Sequence, residues 1–127
     1  MSNLAASPQA YRQSAVLAAT PGQLVVMLYD GAKRFLRQSA RAMGEGQIER
    51  AHNTLRRAEL IIASLDGELD YSQGQLADRL HAIYQFCLAH LKAARMHQDA
   101  SKLEEVNVLL DDLREAWVLA AAEVDNA

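Results

Sequence analysis

Thr20-Pro21-Gly22-Gln23-Leu24-Val25-Val26-Met27-Leu28-Tyr29-Asp30-Gly31-Ala32 is the stretch whose reading decides the fold. Thr20 offers a capping oxygen, and Pro21 has the fixed φ that suits a first helical position. Gln23 stands three residues after the cap, where its side chain can reach back. Six apolar residues, Leu24 to Tyr29, then follow without a break. A helix that buries one narrow stripe needs apolar residues only at spacings of three and four. The surplus needs a destination, and that destination is the functional question.

Working outward, this first helix runs from about Pro21 to Met43. Val25, Leu28, Ala32, Phe35, Ser39 and Ala42 form its seam, and Gly44-Glu45-Gly46 stops it. A second helix runs from about Gln47 to Leu69 on Ile48, Ala51, Leu55, Ala58, Ile62, Leu65 and Leu69. Asp70 to Gly74 reads as a turn by composition. A third helix runs from Gln75 to His97 on Leu76, Leu80, Ile83, Cys87, either His90 or Leu91, and Ala94, with Tyr84 and Leu88 as a stripe beside it. The capping box Ser101-Lys102-Leu103-Glu104 opens a fourth, on Leu103, Val106, Leu110, Leu113, Trp117, Ala120 and Val124. Helices of similar length, each about 35 Å at 1.5 Å per residue, joined by short connections, predict an all-α, antiparallel up-down four-helix bundle. The bundle domain spans 20–127. Residues 1–19, with Pro8 blocking an early helix, form an N-terminal arm, irregular or carrying a short extra helix.

Bulk composition narrows the function classes. Half of the 127 residues are apolar, enough for one core. A net charge of −3 argues against a nucleic-acid binder acting through a basic surface. A single cysteine, Cys87, leaves no internal disulfide and fits a reducing compartment. With neither a secretory signal nor an apolar run long enough to span a membrane, the expected setting is the cytosol, with no membrane insertion.

Catalytic and metal chemistry find little support. Glu49 with His52, and Asp78 with His81, have the three-residue spacing used in di-metal bundles. The seams place these residues at solvent or at the flank, a phase that suits polar side chains facing water rather than a buried metal site. Cys87 and His90 share that spacing without a second pair. No nucleophile has a base beside it, no glycine loop cradles phosphate, and no cofactor is expected.

Charge is unevenly shared. Lys33, Arg34, Arg37 and Arg41 stand against Asp30 alone in 21–43, a balance of +3, whereas 101–125 carries −5. The first and fourth helices then lie side by side, or a charged rim guides a partner. Apolar residues left after the seams are filled include Leu24, Met27, Leu36, Leu60, Ile61, Tyr84, Leu88, Leu109 and Leu119. They widen the core, pair subunits in a homodimer or larger structural homo-oligomer, or line a groove for a partner's amphipathic helix.

The order Tyr11, Ser14-Ala15-Val16, Thr20-Pro21-Gly22-Gln23-Leu24 and Met27-Leu28-Tyr29-Asp30-Gly31-Ala32 resembles the FliS-type flagellin export chaperones. The likeness continues through Ala58 to Ile62, Leu69-Asp70, Gln75-Leu76-Ala77, Tyr84, Glu105-Val106, Leu109-Leu110 and Ala116-Trp117. It departs at Arg95, where the family often has Asn. The resemblance implies a cytosolic helical bundle that binds the C-terminal segment of flagellin, prevents its premature polymerisation, and docks when loaded on the export gate protein FlhA. Candidate flagellin-binding residues are Tyr11 and Val16 on the arm and Leu24, Met27, Ile61, Tyr84 and Leu88 on the bundle. Tyr11 matches the family's N-terminal Tyr; it either covers the groove until flagellin displaces it or anchors the arm permanently, and the residues leave both open.

Overall fold

The computed structural model describes residues 20–126, with backbone alone at 73, 121 and 123–126. The expected arm, with Tyr11 and Val16, lies outside the described residues. Among the described residues, four long helices follow in order: α1 (Pro21–Gly44), α2 (Ile48–Gly67), α3 (Gln75–His97) and α4 (Ala100–Asn126), with a 3-10 turn at Tyr71–Gln73 before α3. Each of α1 and α3 packs against both α2 and α4, so the four form a square. Cross-helix partners set the direction. Lys33 meets Asp111 and Asp30 meets Arg114 between α1 and α4, while Glu59 meets Arg95 and Asp66 meets His81 between α2 and α3. Numbers rise on one helix as they fall on its neighbour, which makes both pairs antiparallel.

The termini follow local chemistry. The Gln23 N–H donates to Thr20 Oγ1 at 3.2 Å and the Thr20 N–H to Gln23 Oε1 at 3.0 Å, closing the capping box with Pro21 in the first turn. Gly46 takes a φ of +73° in the turn after α1, a conformation that glycine adopts at least cost. The buried Ser39 hydroxyl donates to the Ala51 carbonyl at 2.7 Å and fixes α2 against the end of α1. The start of α4 differs from expectation. The helix begins two residues earlier than the Ser101 box predicts, and Asp99 does the capping. Its Oδ1 accepts the Ser101 N–H at 3.0 Å and the Ser101 hydroxyl at 2.5 Å, and these bonds hold the carboxyl below its usual range. α2 stops at Gly67 rather than Leu69, where Asp70 begins the turn by accepting the Ser72 N–H.

The core takes Tyr29, Ala32 and Leu36 from α1, Leu55, Ala58 and Ile62 from α2, Tyr84, Cys87 and Leu91 from α3, and Leu103, Val106 and Leu110 from α4. The seams of α2 and α4 match this set over their central turns. On α3, Tyr84 takes the buried place expected for Ile83, which is only partly buried, and Leu91 rather than His90 is buried. Ile48 and Leu76 are exposed, and on the first turns of α2 and α3 it is Ala51 and Ala77 that face inward. On α1 the phase differs: Leu28 is 39% exposed and Phe35 only partly buried, while Tyr29 and Leu36 are fully buried. α1 has neighbours on two flanks, α4 held by the charged pairs and α2 approaching at Gly31. The direction between them runs through 29, 32 and 36.

Candidate functional site

Among the described residues, an apolar furrow and a smaller apolar cavity interrupt the packed surface. The furrow, of about 580 Å³, lies between α1 and α2, lined by Leu24, Met27, Leu28, Asp30, Gly31, Arg34, Phe35 and Ile61. It exists because α1 carries apolar residues on more of its circumference than the core consumes. Gly31 forms part of its floor. A Cβ there would lie 3.3 Å from Ile61 Cδ1, so the absence of a side chain lets α1 and α2 approach at this level. The rim is charged. Asp30 faces the furrow while accepting from Arg114 Nε at 2.5 Å, a bond that raises the Arg114 pKa further. Arg34 lies along the same lining, with its guanidinium 5.5 Å from the Phe35 ring centroid.

The smaller cavity, about 200 Å³, lies between the start of α1, the end of α2, the start of α3 and Trp117 of α4. Tyr84 lines it from within. Only 1% of Tyr84 is exposed, and its hydroxyl lies 2.5 Å from that of Tyr29. Burial pushes both phenols above their ordinary range, because the charged form would be stranded in the core. The two hydroxyls give each other the partner that a buried polar group requires. Burial likewise raises the Cys87 thiol to about 11, so it is a protonated, unreactive core residue at neutral pH.

Of the residues singled out from the sequence, Leu24, Met27 and Ile61 come together in the furrow. Tyr84 does not join them; it is a core residue bonded across the bundle. Leu88 packs against the core on α3, away from the furrow. Leu36, counted as surplus, is fully buried, because α1 turns it towards the core. Leu28, Gly31, Phe35 and Arg34 complete the furrow. The first and third carry no separate sequence signal, since their spacing equally fits the core seam. The His and carboxylate pairs stay dispersed: Glu49 and Asp78 are exposed, His52 accepts from the Gln98 amide at 2.9 Å, and His81 pairs with Asp66 at 2.7 Å. Among the described residues, no group of three or more His, Cys, Asp or Glu side chains is placed to hold a metal ion. Among them too, no helix is long and apolar enough to cross a membrane.

The family described as flagellar protein FliS matches residues 3–124. The chain belongs to the FliS family. The flagellar secretion chaperone FliS of Bacillus subtilis (strain 168) is 35% identical over 108 residues, covering 85% of this chain and 80% of the relative. The flagellar secretion chaperone FliS of Salmonella typhimurium is 34% identical over 118 residues, covering 91% and 87%. A solved crystal structure of a flagellar chaperone from bacteria superposes with a TM-score of 0.77 over 91% of this chain and 97% of that one. At 15% identity, that match speaks for the fold alone. FliS proteins are chaperones, not enzymes, and this FliS chain is a flagellar export chaperone.

Proposed function

We propose that the α1/α2 furrow receives the C-terminal segment of flagellin and holds it apart from other flagellin copies until export. The observation that carries this reading is the furrow itself. A bundle with a filled core leaves Leu24 36% and Leu28 39% exposed at a concave apolar surface. Such a surface is a solubility burden unless something covers it. An amphipathic helix laid between α1 and α2 would place its apolar stripe on Leu24, Met27, Leu28 and Ile61. Met27 supports the reading because an unbranched thioether adapts to guest side chains of different shape. The client gains helix as it binds, and its ordering entropy offsets part of the contact energy. The bound state therefore remains releasable. In this reading the arm, through Tyr11 and Val16, covers the furrow in the free protein. The loaded chaperone then delivers its client to the type III export apparatus through FlhA.

Titration with a peptide of the flagellin C-terminal region, followed by calorimetry and circular dichroism, tests the reading. A 1:1 complex with a gain in helical signal is expected. No binding, together with a stable concentration-dependent oligomer, would instead assign the apolar surface to self-association.

A further inference from the structure

Phe35 closes one end of the apolar furrow, and two guanidiniums lie over its ring. Arg34 is 5.5 Å from the centroid and Arg57, from α2, is 5.7 Å away. Among the described residues neither arginine has an ion pair, whereas Lys33, Arg95 and Arg114 each have a carboxylate. Asp30, the carboxylate in the furrow lining, is engaged by Arg114. Two guanidiniums are thus gathered around one ring, which attracts each of them, and among the described residues neither is held by a carboxylate, so both stay open to an anion.

Resting on the flagellin reading above, we infer that Arg34 and Arg57 form an anionic subsite that sets the register of the bound helix by taking an acidic side chain of the client. The charge belongs to a side chain rather than to a chain end because the surface does not stop at Phe35. Arg57 also lines an open depression of about 530 Å³ on α2 with Glu49, Arg50, Asn53 and Thr54, on the far side of the ring from the furrow. From Leu24 to Phe35 the floor runs roughly 16 Å, about three helical turns. The acidic residue therefore sits about three turns from the apolar residue seated at Leu24. Arginine suits the task because its planar fork can bond a carboxylate at its edge while its face stays on the ring.

The test uses the full chain, R34Q/R57Q, the flagellin C-terminal peptide, a peptide with its acidic residues changed to amides, and a peptide amidated only at its C-terminus. Thermal melts confirm that the variant folds. The double variant is expected to bind about tenfold more weakly at low ionic strength, with the gap closing near about 1 M salt, where screening acts over ~3 Å. The peptide without acidic side chains is expected to bind the parent as weakly, and to lose nothing further on the variant. Unchanged affinity and salt dependence in R34Q/R57Q would overturn the subsite and leave flagellin binding standing. A loss that follows terminal amidation would overturn it in favour of the chain end. Failure of the parent to bind any peptide would overturn the flagellin reading and the subsite with it.

Discussion

Placing an alanine at position 31 separates folding from binding. Gly31 is buried in the middle of α1, where alanine is favoured over glycine by about 0.8–1.0 kcal/mol. The new Cβ would stand 3.3 Å from Ile61 Cδ1 and 3.9 Å from Arg34 Nη2. The first contact is tight, but it meets the end of a half-buried side chain on the furrow wall, which can yield by a few tenths of an ångström. That concession returns part of the gain, leaving Gly31→Ala more stable by about 0.5 kcal/mol, or roughly 2 °C in Tm for a chain of this size. The same methyl raises the furrow floor under the client. Overpacking a fitted contact costs about 1–3 kcal/mol, and an open furrow belongs at the lower end, so affinity for the flagellin peptide falls about fivefold. Thermal unfolding of the free variant and calorimetric titration measure the two effects. A Tm drop of several degrees would refute the Gly31–Ile61 geometry. A raised Tm with unchanged affinity would show that the client does not touch this floor.

Other expectations follow from the same structure. Tyr29→Phe and Tyr84→Phe each strand one buried hydroxyl and cost about 1–3 kcal/mol, while the double variant costs less than their sum, as chemical denaturation of all four proteins checks. Arg95 forks onto both carboxylate oxygens of Glu59, so Arg95→Asn lowers stability by about 1 kcal/mol and has no further effect in a Glu59→Gln background, read by a double-mutant cycle. The Cys87 thiol is raised from its ordinary 9.0 to about 11. Its contribution is intact below pH 9 and is lost as pH rises to 11, because the unfolded thiol ionises first. The stability gap between the parent and Cys87→Ala therefore narrows between pH 8 and pH 10.5 in urea melts, and a pH-independent gap would contradict this. Tyr11→Ala binds flagellin peptide as well as the parent or better if the arm is a displaceable cover; weaker binding would make Tyr11 a direct contact.

Much of the bundle was legible because its determinants are local. The Thr20 capping box, the glycine stop after α1 and the three-and-four spacing of α2 depend on residues near one another in sequence. The misplaced features depend on contacts between helices. Leu28 and Phe35 fit a core spacing as well as Leu24 and Met27 fit a surplus, and only the two-sided packing of α1 decides which turn outward. Tyr84 reads as a groove residue from sequence because its partner, Tyr29, lies 55 positions away on another helix. At the start of α4, Asp99 and Ser101 are both competent caps, and the geometry of the preceding turn selects the aspartate. The convergence of Arg34 and Arg57 on Phe35 requires α1 and α2 to be set side by side, which no run of adjacent residues records.

The central claim is that the client lies between α1 and α2. Methyl-labelled NMR of the full chain during titration with the flagellin C-terminal peptide tests it most directly. The methyl signals of Leu24, Met27, Leu28 and Ile61 are expected to shift together, while the exposed Leu76 and Leu119 on the other two helices hold still. Shifts confined to α3 and α4, with those four furrow signals unmoved, would contradict it.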